Sequence, residues 1–256
     1  MVPPRFRFLD TAFVALAHRG GAQERPENTW AAFSHAVDDL DYHYLETDVH
    51  ATADGVVAVI HDPALDRTTD RVGSVASLRW SEVARARIAG DQAIPLLEEL
   101  LAAWPTVRWN IDAKHDAVVE PLAEVIRRAG ALARVCVTSF SDLRLLRLRR
   151  GLGPGLCTAL GPVAATRLRG ASYVPSLGRW RPGPAGTVQV PVSQGPIRVV
   201  DARFIDAAHR RGLAVHVWTV NDAATMDRLV DLNVDGMMTD RPTLLRSVLE
   251  RRGLWT

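Results

Sequence analysis

The chain lacks a strong net charge of either sign, and this absence excludes several classes of partner. Among its 256 residues, 31 are Lys or Arg and 29 are Asp or Glu, which gives a formal net charge of only +2. A basic surface of the kind that holds nucleic acid or an anionic membrane is therefore not expected. We interpret the locally basic helix that carries Arg144, Arg147, Arg149 and Arg150 as a solvated face, because no aromatic residues interleave for base stacking.

Cysteines and long apolar runs are also scarce. Both cysteines, Cys136 and Cys157, lie in apolar segments, so we expect two buried thiols and no disulfide. No stretch approaches the ~18–20 uninterrupted apolar residues that a membrane helix needs. Residues 1–10 lack the basic segment and apolar run of a secretory signal. We therefore expect a cytoplasmic protein without membrane insertion, and the sequence indicates no oligomeric state.

What the chain does contain is a regular alternation of apolar, β-rich runs with helical patterns. At 47% hydrophobic and 23% charged residues, its composition is that of an ordinary globular protein. About eight parallel strands with helices between them in ~250 residues predict a (β/α)8 TIM barrel. We expect residues 1–256 to form this one domain, with a short insertion at about 63–95. An open doubly wound sheet is disfavoured, because no glycine-rich phosphate-binding fingerprint follows the first strand.

The hairpin at 45–62 is the segment on which the functional prediction depends. An Asp-Gly pair at 54–55 predicts a two-residue type I′ turn, which would place Asp48 directly opposite His61. Glu46 would share the face of Asp48, because side chains alternate along a strand. One face would then carry two carboxylates and an imidazole. Charge on strands this apolar is costly unless it is paired or bound to a metal.

Polar residues follow the predicted strands at their carboxyl ends, where a TIM barrel has its active site. Glu46, Asp48 and Asp112 are carboxylates, and their mutual repulsion would raise their pKa values unless a cation neutralised them. Oxygen ligands select a hard cation such as Mg²⁺, Ca²⁺ or Mn²⁺. His18 and His61 suit proton transfer, since an imidazole titrates near neutral pH.

Positively charged side chains lie beside these groups. Arg19 follows His18, and Lys114 lies two residues after Asp112. A cation, an arginine and a lysine are what an anionic phosphoryl group needs. Of the remaining histidines, we expect only His50 near the site. The other polar residues at strand ends are expected to be loop starts or helix caps, namely Ser139, Asn221 and Asp240.

Several short motifs follow one another from about His18 to Pro242. They are His18-Arg19-Gly20, Pro26-Glu27-Asn28-Thr29, Glu46-Thr47-Asp48-Val49, Asp54-Gly55 through His61-Asp62, Asp66-Arg67-Thr68-Thr69, Val217-Trp218-Thr219-Val220-Asn221 and Asp235-Gly236 through Thr239-Asp240. Each is weak alone, but the ordered set resembles the glycerophosphodiester phosphodiesterases over nearly the whole chain. The resemblance implies a (β/α)8 barrel with one divalent cation, Mg²⁺ or Ca²⁺ with Mn²⁺ as a further option. It also implies hydrolysis of glycerophosphodiesters to glycerol 3-phosphate and an alcohol.

The resemblance implies roles for individual residues as well. His18 and His61 match the family's general acid/base pair. Glu46 and Asp48 match its metal ligands, and Arg19 matches a phosphate contact.

The third metal ligand of the family is typically the Glu of a Glu-x-Lys pattern. This chain has Asp112-Ala113-Lys114 there. Because Asp is shorter than Glu, its carboxylate would lie at a different distance from the metal. Lys114 would then face the substrate. Gln189 and Trp218 also fit substrate contacts, although Trp218 fits barrel packing equally well.

Two alternatives stay open. A lysophospholipase D or a phospholipase C-like phosphodiesterase would share the architecture but would need an apolar rim. Candidates for such a rim lie in and beside the Pro/Gly-rich loop at about 173–186, which resembles a lid: Tyr173, Val174, Leu177 and Trp180. A non-catalytic barrel that only binds an anion would be expected to have lost a histidine or a carboxylate, and none is missing. The expected partner is therefore a small-molecule phosphodiester.

Overall fold

Parallel strands form a nearly closed barrel in the computed structural model, which describes residues 6–174 and 180–255. Within these residues the barrel strands are β1 (Val14–Ala17), β2 (Tyr44–Ala51), β3 (Arg108–Ala113), β4 (Val135–Thr138), β5 (Cys157–Thr158), β6 (Thr187–Pro191), β7 (Ala214–Trp218) and β8 (Gly236–Thr239). Neighbours pair in parallel from β5 through β1 and β8 to β6. A bridge between Ala159 and Thr187 joins the two outer edges. The predicted TIM barrel is confirmed.

Helices alternate with the strands and cover the outside of the barrel, as this fold requires. In the described part of the chain they are α1 (Trp30–Ser34), α2 (Trp80–Val83), α3 (Leu97–Ala103), α4 (Val119–Arg128), α5 (Asp142–Leu152), α6 (Pro162–Ala171), α7 (Ala202–His209), α8 (Ala223–Asp231) and α9 (Pro242–Arg251). Their apolar faces join one continuous core with the strands, as Leu122 and Ile126 of α4 do. None of these described helices has the length and apolar character needed to cross a bilayer.

The segment predicted as an insertion leaves the barrel after a short antiparallel strand, Val57–Val59, that pairs with β2. It contains α2 and a two-stranded ribbon formed by Arg87–Ile88 and Gln92–Ala93. It encloses a small apolar cluster of its own, which includes Leu65, Val75, Val83 and Ile88. That residues 1–256 form one domain stays a prediction.

The hairpin turn that precedes this segment is one residue longer than predicted. Ala51 pairs with Val57, and the amide of Thr52 donates to the carbonyl of Val56. The loop therefore has three residues, 53–55. Gly55, the last of them, has a φ of 81°, which is typical of a three-residue loop that ends in a left-handed glycine.

The longer loop shifts the strand register by one residue, and the predicted type I′ turn is wrong. The hydroxyl of Thr52 stabilises the longer loop, because it donates to Asp54 at 2.6 Å and accepts the amide of Val56 at 3.0 Å. As a result the carbonyl of Asp48 accepts from the amide of Ile60. His61 lies just beyond the paired residues instead of directly opposite Asp48.

An uncharged histidine, His216 of β7, is buried inside the barrel. Its Nδ1 lies 3.4 Å from Nε2 of Gln189, and its Nε2 has no hydrogen-bond partner among the described residues. Burial lowers the pKa of His216 to about 4, against a smaller opposing effect of Asp235. In the unfolded chain, where a histidine has a pKa of about 6.5, the same side chain binds a proton more readily.

We therefore expect acid to destabilise the protein through His216. As the pH falls from about 6.5 towards 4, protonation of the unfolded state should lower the free energy of unfolding by roughly 3 kcal/mol. Denaturant unfolding at several pH values measures this contribution when the wild type is compared with His216→Gln, because glutamine cannot titrate. An identical acid dependence in the two proteins would contradict the prediction.

Candidate active site

The predicted site residues meet at the C-terminal end of the barrel, around a cavity of about 550 Å³. Those that line it are His18, Arg19, Glu46, Asp48, His61, Asp112, Lys114, Gln189 and Trp218. The strands place them there, because the carboxyl ends of parallel barrel strands share one rim. The structure thus brings every predicted site residue together, and their individual roles stay predictions.

The three carboxylates are aligned by strand register. Asp48 of β2 pairs with Asp112 of β3, and Glu46 lies two residues before Asp48 on the same face of β2. Each is at most 4% exposed. Buried carboxylates this close together need compensating positive charge.

Part of that charge comes from Arg19 in the turn after β1. Its amide donates to Oε2 of Glu46 at 3.1 Å, and its Nε lies 3.0 Å from Oδ2 of Asp48. The turn is compact, since a Cβ added at Gly20 would lie 2.7 Å from the Cβ of Ala32 in α1. Gly20 also has a φ of 82°, so the glycine of this motif is required by both space and backbone conformation.

Lys114 places its ammonium group between two of the carboxylates. Its Nζ lies 2.8 Å from Oδ1 of Asp48 and 2.6 Å from Oδ2 of Asp112. Burial alone would lower the pKa of Lys114, but the two carboxylates raise it above its usual value. The side chain therefore stays charged. It is the only lysine in the sequence.

These contacts give the carboxylates different affinities for protons. Burial and the charge of Asp48 raise the pKa of Glu46 to about 7. Burial also opposes ionisation of Asp48, but Lys114 and Arg19 lower its pKa. For Asp112, burial outweighs the neighbouring ammonium group and the pKa is raised. Negative charge is thus most stable on Asp48, between the two cationic side chains.

The chemistry of the donor set fits a hard divalent cation. Oδ1 of Asp112 is buried and has no hydrogen-bond partner in the described residues, and a cation would compensate such an oxygen. Carboxylate oxygens are also the ligands that Mg²⁺, Ca²⁺ and Mn²⁺ prefer. In residues 6–174 and 180–255, however, no three His, Cys, Asp or Glu side chains are grouped to hold one ion. The metal site stays a prediction.

Each of the two histidines is oriented by an aspartate. Nδ1 of His18 lies 2.6 Å from Oδ1 of Asp240, and Nδ1 of His61 lies 2.6 Å from Oδ1 of Asp62. A carboxylate on Nδ1 fixes the ring and its tautomer, which leaves Nε2 available for proton exchange. Sequence reasoning assigned neither aspartate to the site.

Asn221 and Asp240 lie in the loops after β7 and β8, as predicted, but they also help to position His18. Nδ2 of Asn221 donates to Oδ2 of Asp240 at 2.8 Å, and Oδ1 of Asn221 accepts the Asp240 amide at 2.8 Å. Together they hold the partner of His18 in place. Burial would lower the pKa of His18, but the charges of Glu46 and Asp240 raise it. Ser139 has a structural contact, since its hydroxyl donates to the carbonyl of Ala113 at 2.8 Å.

His50 lies near the site, as expected, and supports its backbone. Its Nε2 donates to the carbonyl of His61 at 3.1 Å. Because His50 of β2 is only 4% exposed, this contact ties the loop that carries His61 to a buried side chain of β2. Burial lowers the pKa of His50, which favours its uncharged form.

Gln189 and Trp218 also line the cavity. Nε2 of Gln189 donates to Oδ1 of Asn110 at 2.7 Å, and Nδ2 of Asn110 donates back to Oε1 of Gln189 at 3.3 Å. Trp218 makes an edge-on contact with Phe140, with ring centroids 6.0 Å apart, and it also packs against a buried apolar cluster. It therefore packs in the barrel and also lines the cavity, and its contact with substrate stays a prediction.

The cavity has an apolar side as well as a charged one. Phe140 and Ile197, two large apolar side chains of this side, are 67% and 59% exposed. Further apolar residues continue this surface along the cavity: Leu160, Pro162, Ala165, Val190 and Val199. Ile197 belongs to a small ribbon, Ser193–Gln194 with Ile197–Arg198.

This surface differs from the predicted apolar rim. Tyr173 and Val174 are exposed but do not line the cavity, and Trp180 packs against the main core. Leu177 lies outside the described residues, as does part of the loop at 173–186 that was predicted as a lid. The prediction of Tyr173, Val174 and Trp180 as the rim is therefore wrong.

Comparison with known proteins agrees with the motifs and the fold. A Mycobacterium tuberculosis protein named Probable glycerophosphodiester phosphodiesterase 2 is 39% identical over 250 residues, which cover 94% of this chain and 92% of that protein. The solved glycerophosphodiester phosphodiesterase from Agrobacterium tumefaciens is 26% identical and has a TM-score of 0.75, covering 93% of this chain and 99% of that one.

A further solved structure shares the fold and holds a ligand. It is an Oleispira antarctica phosphodiesterase in complex with the product sn-glycerol-3-phosphate, with a TM-score of 0.73 at 20% identity, covering 92% of this chain and 96% of that one. The model of the Glycerophosphoryl diester phosphodiesterase family matches residues 18–244. The chain therefore belongs to the glycerophosphoryl diester phosphodiesterase family.

Proposed function

We propose that this enzyme is a metal-dependent phosphodiesterase that hydrolyses glycerophosphodiesters to sn-glycerol 3-phosphate and an alcohol. The observation that carries the proposal is the pair of aspartate-backed histidines, His18 and His61, beside three carboxylates and two cationic side chains. Family membership and the product bound by the Oleispira relative support the same substrate class. We expect the enzyme to act in the cytoplasm on small molecules.

The charged side of the cavity would bind the phosphoryl group of the substrate. Arg19 and Lys114 supply positive charge for the phosphoryl group, and Arg offers a planar set of donors for its oxygens. Glu46, Asp48 and Asp112 would hold the divalent cation. When bound, such a cation neutralises phosphoryl charge and lowers the pKa of a coordinated hydroxyl.

Proton transfer falls to the two histidines. One Nε2 takes the proton of the attacking hydroxyl, and the other gives a proton to the oxygen of the departing alcohol as its bond to phosphorus breaks. If the attacking group is the glycerol 2-hydroxyl, a cyclic glycerol phosphate forms, and water opens it with the two roles exchanged. If water attacks directly, the same two transfers complete the hydrolysis in one step. Each transfer is worth about 10²–10⁴-fold in rate.

Release of glycerol 3-phosphate tests the proposal. Purified protein is incubated with glycerophosphocholine, glycerophosphoethanolamine or glycerophosphoglycerol, with Mg²⁺, Ca²⁺ or Mn²⁺ added in turn. We expect equal amounts of glycerol 3-phosphate and free alcohol, measured with a coupled glycerol 3-phosphate dehydrogenase assay. Formation of phosphocholine or phosphoethanolamine together with free glycerol, or no hydrolysis of any of the three substrates, would contradict the proposal.

A second candidate function, lysophospholipase D activity, is favoured by the apolar side of the cavity. Exposed Phe140 and Ile197 would contact an acyl chain attached to the glycerol. The charged side would still bind the phosphoryl group. The two candidates therefore differ in substrate and not in the reacting bond.

Substituting Ile197 distinguishes the two candidates. If the enzyme uses an acyl chain, Ile197→Ser should lower kcat/KM for lysophosphatidylcholine by about tenfold, because ~1.4 kcal/mol of apolar contact is lost. The change for glycerophosphocholine should be much smaller. Both substrates are assayed below the critical micelle concentration of the lipid. An equal effect on both, or no hydrolysis of the lysophospholipid by the wild type, would exclude this candidate.

A further inference from the structure

Two motif residues that have no role in this mechanism, Glu27 and Arg67, meet beside His61. Nε and NH2 of Arg67 donate to Oδ2 and Oδ1 of Asp62 at 2.5 and 3.1 Å. NH1 and NH2 of the same side chain donate to Oε2 and Oε1 of Glu27 at 3.1 and 2.7 Å. One guanidinium group thus makes two bidentate pairs, which set direction as well as distance.

One of the oxygens that Arg67 holds also contacts the catalytic histidine. Oδ1 of Asp62 accepts from Arg67 and lies 2.6 Å from Nδ1 of His61. The pKa of Asp62 lies well below its usual range, chiefly because Arg67 donates to it. The carboxylate is therefore ionised near neutral pH and accepts a hydrogen bond from the imidazole.

Glu27, on the other side of Arg67, is held in place by its neighbours. Asn28 is 2% exposed; its Nδ2 donates to Asp48 at 3.0 Å, and its Oδ1 accepts from Thr47 at 2.8 Å. Oε1 of Glu27 also accepts from NH1 of Arg19 at 3.2 Å. The residue that fixes Arg67 is therefore itself fixed to β2.

The two histidines differ in how much they need such support. The side chain of His18 is 18% exposed, and its aspartate is held by Asn221 in the loop after β7. The side chains of His61 and Asp62 are 32% and 24% exposed and lie in a loop. Side chains in such a position lose their preferred orientation unless further contacts restrict them.

We propose that Arg67 is a positioning residue that directs the imidazole of His61 by holding Asp62, and that Glu27 fixes Arg67 in turn. The inference rests on the proposed function, because that function gives His61 its role in proton transfer. It explains why two loops 40 residues apart in the sequence are joined by a pair of charged side chains next to the cavity.

A double-mutant cycle tests the inference. Arg67→Met should lower kcat for glycerophosphocholine by about 10- to 100-fold, the usual effect of losing an orienting contact, with KM changed by less than about twofold. In the His61→Ala background the same substitution should cause no further loss beyond about twofold, because no imidazole is left to orient. A residue needed only for stability would reduce activity in both backgrounds.

The conservative substitution adds a second readout. Arg67→Lys keeps the charge but cannot form two bidentate pairs, so we expect a loss of kcat similar to that of Arg67→Met. Full activity of Arg67→Lys would overturn the inference, as would a further loss of more than about threefold when Arg67→Met is added to His61→Ala. If Arg67→Met is not folded at the assay temperature, Arg67→Gln replaces it in the cycle with the same expectations.

Arg147 offers a matched control for the loss of a bidentate surface pair. Its NH2 donates to both oxygens of Glu120, at 2.8 and 2.9 Å, away from the cavity. Arg147→Met should therefore leave kcat unchanged, and thermal unfolding should be measured for every variant. A wild type that releases no glycerol 3-phosphate would overturn the proposed function. An active wild type with additive effects in the cycle would overturn only the inference about Arg67.

Discussion

Replacing either His18 or His61 by alanine is expected to lower kcat for glycerophosphocholine by about 10²–10⁴-fold while the protein stays folded. Each imidazole has its Nδ1 within 2.6 Å of an aspartate, so truncation removes the Nε2 that exchanges protons with the substrate. The aspartates keep other partners, Asn221 for Asp240 and Arg67 for Asp62. No carboxylate is therefore left buried and unpaired, which would have reduced stability.

Controls separate the loss of proton transfer from a loss of structure. The double variant His18→Ala/His61→Ala should be little less active than the weaker single variant, because groups that act in one reaction are not additive. His43→Ala is the comparison substitution, since its side chain is 56% exposed and its neighbour Asp41 is exposed too. Initial rates and thermal unfolding are measured for all of them. Turnover close to that of the wild type in either single variant would contradict the assignment of His18 and His61 as the residues that transfer protons.

Removing divalent metal is expected to have a comparably large effect. A bound cation contributes several kcal/mol of transition-state stabilisation, so chelation should lower activity on the order of 10³-fold or more. Dialysis against a chelator, followed by separate addition of Mg²⁺, Ca²⁺ and Mn²⁺, measures the loss and identifies the ions that restore activity. Full activity of the chelated protein would contradict the metal site, whatever the histidine variants show.

Substitution of Asp112 tests whether the loss of activity on metal removal depends on this side chain. Asp112→Asn keeps the shape but not the charge, and it should lose most activity in the presence of metal, with little further loss on chelation. Asp112→Glu supplies the family's usual ligand and should retain part of the activity. In both variants Lys114 keeps its contact with Asp48 at 2.8 Å, so we expect the folded structure to persist. Equal activity of Asp112→Asn and the wild type would rule out Asp112 as a ligand.

The barrel and the main site residues could be predicted from the sequence because both depend on local patterns. Apolar runs alternate with helical segments, and polar residues such as His18 and Lys114 follow the strands directly. Since all parallel strands of a barrel end at one rim, these residues meet without any knowledge of their distances. The same argument brings Asp48 and Asp112 together, and the observed register pairs them.

The loop length of the hairpin could not be predicted from local sequence patterns alone. An Asp-Gly pair is compatible with loops of two or three residues, and the hydroxyl of Thr52 decides between them through its bonds to Asp54 and Val56. A shift of one residue moves every paired side chain to the other face. His61 still reaches the cavity because it lies beyond the last strand pair and is placed by its loop.

Asp62 directly follows His61 in the sequence, but Asp240, which orients His18, and Arg67, which holds Asp62, depend on tertiary contacts that no local pattern reveals. His18 and Asp240 are 222 residues apart and meet only because β1 pairs with β8. Arg67 reaches Glu27 from a segment without regular structure. The apolar side of the cavity could not be predicted either, because the ribbon that carries Ile197 has strands of only two residues, too short for a periodic signal.

The single lysine has a practical consequence for handling the enzyme. Apart from the amino terminus, Lys114 is the only primary amine in the chain, and its side chain is 17% exposed between two carboxylates. Among the side chains of this sequence, only Lys114 can react with reagents that couple dyes, beads or biotin to amines, so such labelling of a side chain occurs in the cavity itself. The rate at which such a reagent labels Lys114 would report how much of the enzyme is occupied by ligand.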